Sequence, residues 1–217
     1  MEKSQYSDTD VIAKILRGET GLYEILIRRY NPFLYKTGRS YNYSHEDTQD
    51  LMQESFIDAY LNLSKFEGRA LFKTWIIKIM LNKCWHRKQK SSVKNEVREQ
   101  ITERSSPLFA SRTDTQNTVM NRELSLVIEK SLAEIPESYR VVFGLREING
   151  LSVAETADAL EISESNVKVR LNRAKTMLRR EIEKSYSREE IFEFNLIYCD
   201  AIVDKVMTHI ARLGTTG

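Results

Sequence analysis

The chain has 217 residues, which is enough for one large domain or two small ones that each bury an apolar core. Its formal net charge of +2 is too small to indicate a nucleic-acid partner by itself. Its two cysteines, Cys84 and Cys199, lie far apart with no other metal ligand at suitable spacing, which argues against a disulfide scaffold or a zinc site and favours a reducing cytoplasm. No apolar run approaches membrane-spanning length, so neither a signal peptide nor membrane insertion is expected.

The first part of the chain predicts helical scaffold. Few glycines and prolines and a helical periodicity along most of the chain predict an all-α protein. Residues 9–35 carry apolar side chains at helical spacing, with Asp10 as the expected cap, a break at Gly18 and an end at Pro32. This region predicts core scaffold rather than a binding site.

Residues 46–63 predict a helix with one apolar and one acidic face. The apolar face consists of Leu51, Phe56, Tyr60 and Leu63. The acidic face consists of Asp47, Asp50, Gln53, Glu54 and Asp58. Such a face is usually only solvated, yet it could equally dock a basic partner. Since two other stretches, 73–94 and 168–180, are strongly basic, the charge distribution suggests a protein partner as well as a polyanion.

Residues 71–90 predict a helix in which lysines and arginines surround an apolar stripe. Asn82, Trp85 and His86 lie among these cations, and amide and aromatic groups interleaved with cations are typical of single-stranded nucleic-acid binding. Trp75 falls on the apolar stripe and is expected in the core. His86 alone is more simply a surface residue than a metal ligand.

The remaining chain divides into a linker, a second helical domain and a tail. Residues 91–118 are polar without a sustained period and predict a flexible linker. Helices are expected at 123–132 and 137–148. Residues 185–217 predict a helix that either extends the core of the second domain or covers its DNA-reading surface as a regulatory segment. The predicted organisation is two small helical domains, 9–90 and 119–184, joined by that linker, with the second ending in a helix-turn-helix and followed by the C-terminal helical tail.

The helix-turn-helix is predicted at residues 151–181. Ser152 and Glu155 form a capping box, and Ser163 is a suitable cap for the next helix. In that next helix an apolar stripe points inward and leaves a polar, basic face for a major groove. The candidate groove contacts are Ser165, Asn166, Lys168, Val169, Arg170, Asn172, Arg173 and Lys175. The alternative is an amphipathic surface helix with merely solvated cations.

Three stretches together resemble the extracytoplasmic-function (ECF) group of bacterial RNA polymerase sigma factors, which keep only the second and fourth conserved regions. They are EDTQDLMQESFIDAY at 46–60, FEGRALFKTWIIKIMLNKCW at 66–85, and IPESYRVVFGLREINGLSVAETADALEISESNVKVRLNRAKTMLRRE at 135–181. The motifs of the first and second halves occur in the family's order, and the match spans roughly 9–182.

The resemblance implies a division of labour between the two domains. An acidic surface would dock on the clamp helices of the largest polymerase subunit, namely Asp47, Asp50, Gln53 and Glu54. A second surface would capture the melted minus 10 element, namely Phe66, Gly68, Arg69, Lys78, Asn82, Lys83, His86 and Arg87. The helix-turn-helix would read the minus 35 element as duplex. The implied partners are core RNA polymerase and promoter DNA, with an anti-sigma factor as a further candidate, and no catalytic residue, metal or cofactor is expected.

Several residues depart from the family pattern. Glu161 stands where the family usually has glycine, and a left-handed conformation costs a non-glycine residue roughly 1 kcal/mol. Ser165 and Asn166 replace the usual Gly-Thr, and Val169 and Asn172 also differ, so promoter preference does not transfer from relatives. Two other functions stay open: a stand-alone helix-turn-helix regulator of duplex operators, and a pure protein-interaction module.

Overall fold

The computed structural model describes residues 6–94 and 118–185, with side-chain surroundings for 6–90 and 126–184. Most of the predicted linker and nearly all of the predicted C-terminal helix lie outside the described residues. The described parts contain α-helices and short helical turns and no strand, which confirms the all-α prediction. The helices are α1 (Asp8–Leu16), α2 (Tyr23–Ser40), α3 (His45–Leu61), α4 (Phe72–Lys94), α5 (Thr118–Ala133), α6 (Glu137–Phe143), α7 (Val153–Leu160) and α8 (Glu164–Ser185).

The first two helices differ from the prediction at their ends. Ser7 caps α1, because its hydroxyl accepts the backbone N–H of Asp10 at 3.2 Å, so the assignment of Asp10 as the cap was wrong. Helix α2 also continues through Pro32 to Ser40. Proline removes one helical N–H, and here both Pro32 and Arg28, whose carbonyl loses its partner, are exposed to solvent. Water can therefore satisfy that carbonyl, and the helix does not end.

Helices α2, α3 and α4 enclose the core of the first half. Leu26, Leu34, Leu51, Ile76 and Met80 are at most 1 % exposed. The outcome at two aromatic residues is mixed. Trp75 packs against Phe66 and Phe72 as predicted, with ring centroids 5.3 and 5.4 Å apart. Tyr60 instead remains 38 % exposed, with its ring 5.1 Å from the Tyr23 ring in an edge-to-face arrangement, so its expected place in the core was wrong.

The helix-turn-helix forms as predicted. The Ser152 hydroxyl accepts the Glu155 backbone N–H at 3.1 Å, and the Glu155 carboxylate accepts the Ser152 backbone N–H at 2.7 Å. Helix α7 ends at Leu160 and is capped by Glu161, whose φ of 55° and ψ of 41° are left-handed. In α8, Val167 and Ala174 are completely buried, which confirms the inward stripe.

The second half packs directly on the first. Val141, Leu145, Leu151 and Ala159 belong to the same continuous apolar core as α2, α3 and α4. Helix α6 continues into a π-helical turn, Gly144–Ile148, that lies against α2. Helix α7 lies against α4 and also contacts α8. No sequence pattern predicted this close packing.

Candidate nucleic-acid and partner-binding surfaces

Helix α8 presents the predicted groove-reading face to solvent. Ser165, Lys168, Val169, Asn172 and Arg173 are all exposed, on the side of the helix opposite the two fully buried residues. Val169 is 49 % exposed although it is apolar. With Lys175, six of the eight predicted minus 35 residues are therefore exposed, whereas Asn166 and Arg170 are partly buried.

Several of these side chains are held by contacts within the chain. Arg170 Nε donates to Asn166 Oδ1 at 3.0 Å, and both residues are partly buried. Arg173 donates to the Tyr139 hydroxyl at 3.2 Å. Lys175 Nζ lies 3.0 Å from Glu147 Oε1. Such contacts reduce the rotamer freedom that a long side chain would otherwise lose on binding DNA.

The acidic face of α3 is joined to α4 by ion pairs. Lys83 Nζ lies 2.6 Å from Asp58 Oδ2, and Arg87 lies 3.0 Å from Asp47 and 3.3 Å from Glu54. Two residues predicted to bind polymerase are thus paired with residues predicted to bind DNA. The structure brings the two predicted surfaces together at one edge, where they partly neutralise each other.

Asp50 and Gln53 remain on the solvent side of α3. Asp50 makes no ion pair within the described part of the chain. The same stripe continues through two exposed apolar residues, Ile57 at 51 % and Leu61 at 69 %. Ile57 and Leu61 were not among the predicted site residues. Their spacing from Asp50, at i+7 and i+11, was the available signal.

The connection before α4, residues 66–70, is packed against aromatic rings at its first residue and exposed towards its end. The Phe66 ring packs on Phe72 and Trp75, and Gly68 has a positive φ of 72° that favours glycine. Arg69 is exposed and forms an ion pair with Glu67. Phe66 was predicted to contact a base, and part of its ring surface is already covered within the chain.

The middle of α4 carries an exposed polar and aromatic surface. Asn82 and His86 are exposed, and Trp85 is 53 % exposed with its ring 4.9 Å from the His86 ring in an edge-on arrangement. Aromatic rings in such a setting can stack on unpaired bases. These residues lie beside Lys83 and Arg87, so α4 assembles five candidate DNA-binding side chains within two turns.

Lys78 lies apart from the other minus 10 candidates, at the contact between the two halves. Its Nζ is 3.6 Å from Asp158 and 3.9 Å from Glu161. One turn earlier, the Thr74 hydroxyl donates to Glu155 Oε1 at 2.8 Å. Acidic side chains of the second half thus already lie beside Lys78, a side chain that was predicted to contact DNA.

Glu155 connects the capping box to the first half. Its pKa is lowered, first because the Ser152 backbone N–H donates to its carboxylate. The hydroxyls of Ser152 and Thr74 and the nearby charge of Lys73 lower the pKa further, against the opposing effect of burial. The carboxylate therefore stays ionised down to acid pH and holds α7 on α4.

Within 6–94 and 118–185 no cluster of three or more histidine, cysteine or acidic side chains could hold a metal ion. The helices described in these ranges are also too short or too polar to cross a membrane. Cys84 is a free, fully buried thiol whose pKa burial raises to about 12. The arrangement is that of binding surfaces, built from an exposed helix face, a polar and aromatic helix and an acidic helix.

Comparisons with known proteins agree with this arrangement. Residues 26–92 match the family description of sigma-70 region 2, and residues 125–178 match that of sigma-70 region 4. The chain is 27 % identical over 184 residues to the ECF RNA polymerase sigma-E factor of Haemophilus influenzae, which covers 82 % of this chain and 97 % of that protein. It is 25 % identical over 176 residues to the ECF RNA polymerase sigma factor SigW of Bacillus subtilis, with coverage of 79 % and 94 %.

Two solved structures share the fold. CnrH, in complex with the cytosolic domain of CnrY, superposes with a TM-score of 0.60 at 21 % identity, over 82 % of this chain and 99 % of that one. The sigma factor RpoE of Bartonella quintana, in complex with the anti-sigma factor NepR, superposes with a TM-score of 0.61 at 18 % identity, over 74 % and 96 %.

Proposed function

Since the chain belongs to the ECF group of RNA polymerase sigma factors, we propose that it binds core RNA polymerase and directs promoter-specific initiation of transcription. The observation that carries the proposal is the pair of separate nucleic-acid surfaces, one on α4 and one on α8, beside an acidic surface on α3. In this function the polymerase supplies the catalytic site, and the chain supplies specificity. It acts in the cytoplasm, where a buried free thiol such as Cys84 stays reduced.

The second half, residues 119–184, is proposed to read the minus 35 element as duplex DNA. A recognition helix enters a major groove with its exposed face, where amide and guanidinium groups bond to base edges. On α8 these groups are Asn172 and Arg173, and Lys168 lies where a long side chain reaches the phosphate backbone. The buried Val167 and Ala174 fix that face relative to the rest of the domain.

The first half, residues 9–90, is proposed to capture the melted minus 10 element. Unpaired bases present faces for stacking and edges for hydrogen bonds, and the exposed Trp85, His86 and Asn82 offer both. Lys83 and Arg87 supply positive charge for the strand. Because both are already paired with α3, their approach to phosphates would release Asp47, Glu54 and Asp58 on the same edge.

The exposed stripe of α3 is proposed as the polymerase-docking surface. Asp50 and Gln53 provide its charged and polar part, together with the paired Asp47 and Glu54. Ile57 and Leu61 provide adjoining apolar area that would be buried by the partner. Exposed apolar side chains beside charge are the composition that an interface with a basic partner helix requires.

The two halves are proposed to separate when the chain is bound to polymerase at a promoter. Helix α7 lies against both α4 and α8, and helix axes pack about 8–10 Å apart, so α4 and α8 are only about 20 Å from each other. The two promoter elements are centred roughly 25 base pairs apart, which is about 85 Å of B-DNA. One compact body cannot reach both, and the linker at 91–118 would span the opened distance.

An anti-sigma factor is proposed as a further partner. In one structure that shares the fold the sigma factor RpoE is bound by the anti-sigma factor NepR, and in another CnrH is bound by the cytosolic domain of CnrY. The exposed apolar stripe of α3 is a surface that such a partner could cover in competition with polymerase.

The test combines the purified full chain with bacterial core polymerase and fragmented genomic DNA, followed by mapping of transcript 5′ ends. Discrete starts that share two spaced upstream elements are expected. Asp50→Lys should abolish them, because it reverses the charge of the docking surface, whereas Glu134→Lys, an exposed residue that follows α5, should not. If the chain binds duplex DNA but yields no specific starts, it is a stand-alone regulator instead.

A further inference from the structure

We propose that Val169 makes the contact that selects thymine in the minus 35 element, by packing its methyl groups against the 5-methyl group of that base in the major groove. The inference rests on the proposed function, since it assumes that α8 enters the minus 35 duplex. It adds the chemical identity of one base that the helix selects.

The first observation is the position of Val169. It is 49 % exposed in a helix whose other apolar residues point inward, and it is the one large apolar side chain of α8 that is strongly exposed among the described residues. Ser165 and Asn172 flank it at i−4 and i+3, so it lies in the middle of the polar face. In the free chain this side chain touches water, which is unfavourable for an apolar group.

The second observation is the rigidity of this part of the helix. Val169 lies two residues after Val167, which is completely buried, and Ser163 caps the start of α8, since its hydroxyl accepts the Asn166 backbone N–H at 3.2 Å. A β-branched side chain in a helix also has one strongly preferred χ1 rotamer. The methyl groups of Val169 are therefore held at a fixed height above the helix surface.

The chemistry of the groove then limits what Val169 can recognise. A valine side chain has no hydrogen-bond donor or acceptor, so it cannot discriminate among the polar edges of guanine, adenine and cytosine. Of the four bases, thymine alone presents a methyl group in the major groove, at its C5 atom. Burial of the two apolar groups against each other removes both from water, and this gain is absent for the other three bases.

The neighbouring side chains cannot supply the same selectivity. Asn172 carries an amide and Ser165 a hydroxyl, and both read hydrogen-bonding edges. Their contacts do not depend on the 5-methyl group. Dependence of selection on that methyl group therefore separates the contribution of Val169 from theirs.

The test uses holoenzyme assembled from bacterial core polymerase and the full chain. A promoter found by mapping transcript starts is resynthesised with its upstream element randomised, once with thymine and once with deoxyuridine in that element only. Wild-type holoenzyme should select thymine at one position of one strand. With deoxyuridine the selection at that position should fall about fourfold, the effect of losing one buried methyl-sized group.

Two variants make the result specific. Val169→Ala should select equally from the two libraries at that position, because the two Cγ methyl groups that would reach the base have been removed. Asn172→Ala should change selection at another position but keep the wild-type difference between thymine and deoxyuridine. If selection is independent of the methyl group in the wild type, or if Val169→Ala retains the dependence, the inference is overturned while the sigma function stands. If no promoter-specific starts are obtained at all, the proposed function itself fails.

Discussion

Arg39 and Glu129 form an ion pair that is almost entirely buried and joins the two halves of the chain, with side chains only 6 % and 9 % exposed. Arg39 also donates to the Tyr43 carbonyl oxygen at 2.6 Å. Close by, Arg140 Nε donates to the Ser40 carbonyl oxygen at 2.7 Å, so a second guanidinium crosses the same boundary. Directional polar contacts thus fix how the second half sits on the continuous apolar core.

Removal of one partner of this pair should destabilise the protein strongly. Glu129→Ala leaves the Arg39 guanidinium buried without its carboxylate, and we expect the free energy of unfolding to fall by about 3 kcal/mol. The double variant Arg39→Met with Glu129→Leu should recover most of that loss, because no buried charge remains. Chemical denaturation of the full chain measures both, with the exposed Glu134→Ala as the control. A loss below about 0.5 kcal/mol in Glu129→Ala would contradict the role of the pair.

Gly38 should not tolerate a methyl group. A Cβ there would lie 2.7 Å from Thr48 Cγ2 and 2.9 Å from Met80 Cε, inside the contact of α2 with α3 and α4. Overpacking of this kind costs about 1–3 kcal/mol, so Gly38→Ala should lower the unfolding midpoint. Gly21→Ala is the matched control, since nothing lies within 4 Å of its Cβ. Equal midpoints for the two variants would show that the helices adjust without cost.

The contact through Glu155 should weaken in acid. The pKa of this carboxyl is lowered in the folded chain, so its contribution to stability is complete above the ordinary glutamate pKa and is lost as pH falls through the folded value. Glu155→Gln cannot ionise, and we expect it to be less stable than the wild type at neutral pH. Thermal unfolding across pH 7 to about pH 3 should show the two curves converging at the acid end. Parallel curves would contradict this assignment.

The acidic residues of α7 and its C-terminal cap should compete with single-stranded DNA for Lys78. Asp158→Asn combined with Glu161→Gln removes both carboxylates near its Nζ, and the free chain should then bind a single-stranded oligonucleotide more tightly. The slope of log affinity against log salt should steepen by about 0.7 for each additional phosphate that the variant neutralises. Glu19→Gln with Glu134→Gln changes the net charge equally at distant exposed positions. If this control binds the oligonucleotide as tightly, net charge alone is responsible.

The parts of the structure that sequence could predict are those set by local chemistry. The capping box at Ser152 and the inward stripe of α8 each depend on residues within two turns of one another. For the same reason all eight minus 35 candidates fall on one helix. The glutamate at 161 indicated a reshaped turn, whereas the structure keeps the left-handed conformation there. Pro32 misled the prediction of α2, because whether a proline ends a helix depends on what replaces the missing hydrogen bond.

The contacts between the halves could not be inferred from periodicity. Thr74 meets Glu155 across 81 residues, and Arg39 meets Glu129 across 90. Their pairing depends on how two folded units dock, which no local pattern encodes. Lys78 was therefore assigned to a DNA surface although α7 lies beside it. The predicted domain boundaries at residues 90 and 119 are not tested by these contacts and stay a prediction.

The apolar core shared by the two halves would lower the apparent affinity of the chain for polymerase. Val141 and Leu145 are buried against the first half, so the proposed opening would expose apolar surface, and an opened chain would be a minor population in the absence of partners. When only that population can bind, the apparent dissociation constant equals the intrinsic one divided by the open fraction. Substitutions that loosen the packing between the halves without touching either binding surface then raise affinity until opening is complete, and no further. The stability of the packing between the two halves would thus determine how well this chain competes for a limited supply of core enzyme.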